Sequence, residues 1–172
     1  METIVVNLYG GPGVGKSTIM AGVFCALKKQ GVNAEIAPEF VKELVWEHRT
    51  LAMDDNIYIF AKQLHRIKRL VGQVDVVICD SPLHNPIVYE KEHNEHFDGL
   101  VREQFSKFNT MNYFIERSTE YMQSGRNQNE SEARQIDVRI KEVISDIDYK
   151  IVDKDVAETV IIDDILKFLK KN

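Results

Sequence analysis

Cysteine, proline and long apolar runs are scarce in this chain of 172 residues, which contains 2 Cys and 4 Pro. Cys25 and Cys79 both lie in apolar runs far apart in sequence, a pattern that predicts two buried, reduced thiols rather than a disulfide. No run approaches the ~20 consecutive apolar residues of a membrane span. With no basic leader before the first apolar run, the sequence predicts a cytoplasmic protein without a membrane partner.

An excess of positive charge is also lacking. The chain carries 22 Lys and Arg against 27 Asp and Glu, a formal net charge of -5. This balance argues against binding of nucleic acid through overall charge, but it leaves a local basic patch open. The length and the 44% hydrophobic content predict one globular domain over residues 1–172.

Apolar runs rich in β-branched residues alternate with longer amphipathic stretches, which is typical of βα units and a mainly parallel sheet. The predicted strands are residues 3–9, 33–37, 74–79, 111–115 and 149–152. The clearest predicted helices are residues 17–30, 56–71 and 157–169. The continuous apolar run at 74–79 predicts a central strand that is covered on both faces.

A glycine-rich segment lies between the first predicted strand and the first predicted helix. Residues 10–17 read Gly-Gly-Pro-Gly-Val-Gly-Lys-Ser, which matches the P-loop pattern in the context that this pattern requires. Such a loop surrounds phosphates with backbone N–H groups, so the sequence predicts a nucleoside triphosphate with Mg²⁺. The predicted nucleotide-binding residues are Gly10, Gly11, Gly13, Val14, Gly15, Lys16, Ser17 and Thr18.

Three further positions complete the predicted phosphate chemistry. Lys16 is expected to reach the outer phosphates, and Ser17 is expected to bind Mg²⁺ through its hydroxyl. Asp80 ends the apolar run at 74–79, at the sheet edge where the P-loop opens, and it predicts either a metal ligand or a base toward a substrate hydroxyl.

The polar segment 117–134 contains Gly125 and few apolar residues, which predicts a mobile lid. Arginine on a closing segment can neutralise charge on a transferred phosphoryl group and help to exclude water. Arg126 is the first candidate for this role, followed by Arg117 and Arg134. No Asn-Lys-x-Asp guanine-reading motif is present. Small size and an arginine-bearing lid therefore favour a kinase over a GTPase.

With these motifs the chain resembles the P-loop nucleoside and nucleotide kinases, and more narrowly the compact domains grouped with the NadR nicotinamide-riboside kinase domain, which are common in bacteria and phages. The matching segments are residues 10–17, 38–40, 80–82 and the Gly-Arg-x-Gln run at 125–128. The resemblance implies a three-layer α/β/α fold with a parallel sheet of about five strands, and the use of ATP and Mg²⁺. It also implies that Glu39, after the second strand, acts as a base, a role for which Asp80 competes.

Acceptor binding is predicted on the side of Glu39. Gln63 and Arg66 lie three residues apart in one helix and can read a polar edge, whereas Phe40, Trp46 and Phe60 can stack on a base. A basic cluster on the same helix comprises Lys62, His65, Arg66, Lys68 and Arg69.

Three functions stay open from the sequence. The first, which the sequence favours, is an ATP-dependent kinase that transfers the γ-phosphoryl group to a nucleoside- or nucleotide-like acceptor. The second is a kinase that acts on a nucleotide within DNA, which the basic cluster would contact. The third is a nucleotide-binding ATPase or switch without an acceptor. The oligomeric state is open as well.

Overall fold

The computed structural model describes residues 2–117 and 130–171, and its centre is a five-stranded sheet in which every pairing is parallel. The strands are β1 (Ile4–Tyr9), β2 (Ala34–Ala37), β3 (Val76–Cys79), β4 (Asn109–Glu116) and β5 (Lys150–Asp153). They are arranged in the order β2-β3-β1-β4-β5. The predicted α/β fold with a parallel sheet is confirmed.

Helices connect the strands throughout the described ranges. They are α1 (Lys16–Lys29), α2 (Val41–Trp46), α3 (Thr50–Met53), α4 (Asn56–Lys68), α5 (Asn85–Val88), α6 (Glu95–Phe105), α7 (Glu130–Val143) and α8 (Ala157–Leu169). None of these helices is long and apolar enough to cross a membrane.

The layers follow from the alternation of side chains along each strand. Ile4, Val6 and Leu8 of β1 point to one face, where they join a buried cluster with α1 and α8. Val5 points to the other face and joins a cluster with α4 and α6. Because both faces are covered, all residues of β1 and β3 are buried, as expected for inner strands of a parallel sheet. β1 lies in the middle and β3 beside it.

Some local expectations differ from the structure. The polar sequence of residues 89–96 predicts an irregular segment, but α6 already begins at Glu95, where the Asn94 side chain accepts hydrogen bonds from the N–H groups of His96 and Phe97. The lid was expected to reach residue 134, whereas α7 begins at Glu130, so residues 130–134 are helical.

The prediction for the two thiols is half wrong. Cys79 is buried in β3, but Cys25 is exposed. Val23 and Leu27 are the buried positions on this part of α1, and Cys25 lies two residues from each, which places it on the opposite side of the helix.

His84, between β3 and α5, is a buried histidine beside the hydroxyl of Tyr9. Its Nδ1 shares a hydrogen bond of 2.9 Å with that hydroxyl, and its ring packs against Phe105. Nε2 has no hydrogen-bond partner in the described part of the chain. Burial, together with the charge of Arg102, lowers the pKa of His84 from 6.5 to about 4. The imidazole is therefore neutral in the folded protein at pH 7.

The buried imidazole should make folding sensitive to acid. Since the folded pKa lies below the unfolded one, the unfolded chain binds more protons as the pH falls below 6.5, and stability is lost. His84→Asn cannot titrate, so its free energy of unfolding should fall less than that of the wild type between pH 7 and pH 5, by about 2 kcal/mol. Urea unfolding at both pH values measures this difference. The exposed His65→Asn should behave like the wild type, and equal pH slopes for His84→Asn and the wild type would contradict the prediction.

Candidate active site

The loop between β1 and α1 has the backbone of a phosphate cradle. Gly13 has φ 86° and Gly15, the residue before α1, has φ 95°. These left-handed conformations strain residues with side chains, so glycine is required where the chain turns into the helix. The turn leaves amide groups at the N-terminus of α1 available for an anion. Residues 10–18 lie in this loop and the first turn of α1, and their contact with a nucleotide stays a prediction.

Lys16 opens α1 and folds its side chain back over the loop. Its ammonium group donates hydrogen bonds to the carbonyl oxygens of Gly10 at 2.5 Å and Gly11 at 3.1 Å. Burial lowers the pKa of Lys16, whereas the nearby carboxylates of Glu39 and Asp80 act in the opposite direction. A half-buried cation, flanked by carboxylates, is thus held at the place where the cradle would receive a phosphate.

Asp80 joins three elements at the carboxyl edge of the sheet. Its Oδ2 accepts a hydrogen bond of 2.6 Å from the Ser17 hydroxyl, and its Oδ1 accepts one of 2.9 Å from the backbone N–H of Glu39. The residue is 4% exposed. Hydroxyl and carboxylate oxygens are the ligands that Mg²⁺ prefers, and these two lie together beside the cradle. Ser17 and Asp80 therefore fit the metal site that the P-loop predicts.

Glu39 follows β2 and lies near the same group of charges. Burial raises its pKa, and the negative charge of Asp80 raises it further, although the Lys16 ammonium opposes both effects. A carboxylate with a raised pKa holds a proton more strongly than an ordinary glutamate and is a better general base. The structure thus gives Glu39 the electrostatic environment that such a role needs.

Phe40 and Arg66 form one wall beside Glu39. The Arg66 guanidinium lies 5.2 Å from the centre of the Phe40 ring, donates to the Pro38 carbonyl oxygen at 3.1 Å and pairs with Glu43 at 2.5 Å. Phe40 also packs edge to face against Tyr58. Because Phe40 is only 7% exposed, its ring is largely covered by the protein itself. The predicted stacking of an acceptor on Phe40 stays a prediction.

Two other predicted acceptor residues are buried among protein groups. Gln63 is 2% exposed, and its amide accepts from Phe40 N and donates to Ala37 O. Phe60 is 3% exposed and packs against Phe97 in the core. Gln63 therefore holds the segment that carries Glu39, whereas Phe60 belongs to the core. Acceptor binding by either residue stays a prediction. Trp46, by contrast, is 76% exposed on α2.

The three candidate arginines have different positions. Arg117 follows β4 directly and contacts the P-loop, because its Nη1 donates to the Pro12 carbonyl oxygen at 2.9 Å. Arg134 is exposed on the first turns of α7. Arg126 lies outside the described residues. Of the three, the structure therefore places Arg117 beside the phosphate cradle.

Two residues near the site were not anticipated from the sequence. Asp137 of α7 contacts both Gly11 and Arg117. Tyr89, directly after α5, is 48% exposed, and partial burial together with the charges of Glu39 and Asp137 raises its pKa to about 12. Neither residue belongs to a local motif. The one sequence signal for Tyr89 is that it follows Asp80 in the connection between β3 and β4.

Comparison with known proteins supports the P-loop assignment. No curated protein matches the chain. Among solved structures, the chain is similar to a crystal structure of NadR protein in complex with NR, with 21% identity and a TM-score of 0.64. The match covers 88% of this chain and 43% of that one, so the chain spans less than half of that protein's length. The similarity shows a shared fold and confirms the predicted resemblance to NadR-like P-loop domains.

A family model described as an AAA domain matches residues 5–158, which include the loop at 10–17, Glu39, Asp80 and Asp137. This stretch includes β1 from its second residue, the other four strands and the helices α1 to α7. The chain has a P-loop between β1 and α1, and it belongs to this AAA domain family.

Proposed function

We propose that the protein is an ATP-dependent kinase that transfers the γ-phosphoryl group to a nucleoside- or nucleotide-like acceptor. The observation that carries the proposal is the position of Asp80. A single carboxylate binds the Ser17 hydroxyl on the nucleotide side and the Glu39 backbone on the opposite side. The backbone contact thus joins Asp80 to Glu39, a second carboxylate whose raised pKa suits it to accept a proton from an acceptor hydroxyl.

Each residue has a distinct part in this proposal. The loop amides and the Lys16 ammonium bind and orient the phosphates, and Arg117 adds a second cation on the β4 side. Ser17 and Asp80 would hold Mg²⁺, which neutralises phosphate charge when bound. Glu39 accepts the proton from the acceptor hydroxyl, whose oxygen then bonds to the γ-phosphorus as the bond to the ADP oxygen breaks.

The role of Glu39 predicts a particular pH profile. The base must be ionised to accept a proton, and its pKa is raised, so turnover should fall with decreasing pH at values above those expected for an ordinary glutamate. Glu39→Gln should lower kcat by roughly 100-fold or more and remove this acid limb. Initial rates between pH 5 and 8 measure both effects.

The control for this experiment is Glu47→Gln, which removes an exposed carboxylate near the end of α2. It should keep the wild-type rate and profile. If Glu39→Gln retained full activity while Asp80→Asn lost it, the base would be Asp80. Normal rates for both variants would remove carboxylate base catalysis from the proposal.

The acceptor is tested directly by incubating the protein with γ-labelled ATP and either a panel of nucleosides and nucleotides or DNA. Label on a free nucleoside or nucleotide supports the proposal. Label on DNA alone would favour the polymer-directed kinase, for which Lys62, His65, Lys68 and Arg69 offer exposed basic groups on α4. Label in inorganic phosphate alone would overturn kinase function and leave an ATPase or switch module.

A further inference from the structure

We propose that Asp137 is a positioning residue that fixes Arg117 beside the phosphate loop and couples α7 to the occupancy of that loop. This inference rests on the proposed function for its effect on turnover, but its structural part concerns nucleotide binding alone. Asp137 belongs to none of the motifs that define the candidate site, and it meets that site only through the fold.

The carboxylate of Asp137 is shared between two partners. Oδ1 accepts a hydrogen bond of 2.5 Å from the backbone N–H of Gly11, and Oδ2 lies 3.1 Å from Nε and 3.0 Å from Nη2 of Arg117. The same guanidinium donates through Nη1 to Pro12 O at 2.9 Å. Two adjacent residues of the phosphate loop are thus tied to α7, one directly and one through Arg117.

The junction formed by Asp137, Arg117 and the phosphate loop is largely buried and closely packed. The side chains of Arg117 and Asp137 are only 7% and 17% exposed. A methyl group added to Gly11 would lie 2.7 Å from Asp137 Oδ1 and 2.9 Å from the backbone oxygen of Ala133, so α7 packs directly against the loop. A movement of the loop at Gly11 must therefore be passed to α7 or must break these contacts.

The charges of the junction indicate why an acid is used here. A lone carboxylate close to a phosphate cradle would repel a nucleotide, but the Arg117 cation neutralises this one. A guanidinium held through Nε and Nη2 by a carboxylate keeps a fixed orientation, with its remaining donors directed at the loop. Asp137 thus orients the cation that the proposed reaction would use for charge stabilisation.

The substitution Asp137→Asn separates the contact of Asp137 with Gly11 from its contact with Arg117. In Asp137→Asn the amide oxygen still accepts from Gly11 N–H, but the negative charge of Asp137 that pairs with Arg117 is lost. We expect Mg-ATP to bind with an unchanged or lower Kd, because a negative charge has been removed, while kcat falls roughly 10- to 100-fold. A purely structural role would instead weaken binding and kcat together, with loss of thermal stability.

Arg117→Lys provides the partner variant, because one ammonium cannot reproduce the forked contact with Asp137 and Pro12. The double variant should be no slower than the slower single variant, since both changes disturb the same cation. Losses that multiply would overturn the shared action of the two residues. Glu142→Gln removes an exposed carboxylate from the same helix and should leave Kd and kcat unchanged.

Coupling is measured without an acceptor by hydrogen exchange with and without Mg-ADP. In the wild type the nucleotide should protect the amides of 10–17 and of 131–143. In Asp137→Ala, which loses both contacts, protection should persist at 10–17 and disappear at 131–143. If the nucleotide protects α7 equally in both proteins, or in neither, the coupling is refuted even where kinase activity is found. The expected exchange pattern in a protein that labels no acceptor would refute the proposed function alone.

Discussion

Lys16→Ala should reduce ATP turnover by about 100-fold or more. The ammonium group supplies a positive charge within the P-loop, and alanine cannot replace it. Folding should be little affected, because the lysine is held in surroundings that lower its pKa and therefore gives little net stability as a cation. Steady-state rates and thermal unfolding of the purified variant measure the two effects.

Lys29→Ala is the matched control for this substitution. Lys29 is exposed in the last turn of the same helix, far along α1 from the loop, so its loss changes the net charge equally and should leave the rate unchanged. The prediction fails if a folded Lys16→Ala protein retains full turnover. Unfolding of the variant would also contradict the prediction, because it would mean that the two hydrogen bonds from Lys16 to the loop carbonyls are needed for stability.

Asp80→Asn should lower kcat by about 100-fold or more and change the Kd of the nucleotide much less. Each oxygen of Asp80 accepts one hydrogen bond, but the asparagine side chain has only one oxygen to accept them. Its NH₂ group then faces either the Ser17 hydroxyl or the Glu39 N–H. The negative charge that would hold the metal is also lost. Binding of a nonhydrolysable ATP analogue by calorimetry, together with initial rates, separates binding from chemistry.

Asp75→Asn serves as the control because Asp75 lies just before β3, at the opposite end of the strand from Asp80. It should retain both the rate and the nucleotide affinity of the wild type. An equal loss of affinity and rate in Asp80→Asn would mean that the carboxylate acts mainly in forming the nucleotide site, and would contradict its assignment to the reacting groups.

The parts of the site that could be predicted from the sequence have local signals. The P-loop is contiguous, and its strand-loop-helix context can be recognised within about 25 residues of sequence. Asp80 could be placed by a general rule, since the carboxyl ends of parallel strands share one edge. The strands could be predicted because buried parallel strands are continuous apolar runs, as in β3, where all four residues are buried.

The remainder depends on contacts that no local pattern encodes. Gly11 and Asp137 are 126 positions apart in sequence, and nothing near Asp137 marks it as a partner of the loop. For α4, the spacing of three residues predicts that Phe60 and Gln63 share one side of the helix, and both are buried in the structure. Periodicity does not tell whether the inward side of a helix meets the core or lines a crevice. For α4, the answer depends on where β2 and α6 pack. The exposure of Cys25 has a similar cause, because an apolar run in a helix does not say how far the buried face extends.

The exposed position of Trp46 on α2 gives the protein a built-in optical reporter. It is the single tryptophan of the chain, so excitation at the red edge of the indole band selects α2 and no other element. α2 begins two residues after Glu39, whereas the predicted nucleotide site lies on α1 and the loop before it. Quenching by iodide in the presence of ADP or of acceptor would therefore record changes around α2, on the Glu39 side of Asp80, in the unmodified chain and in real time.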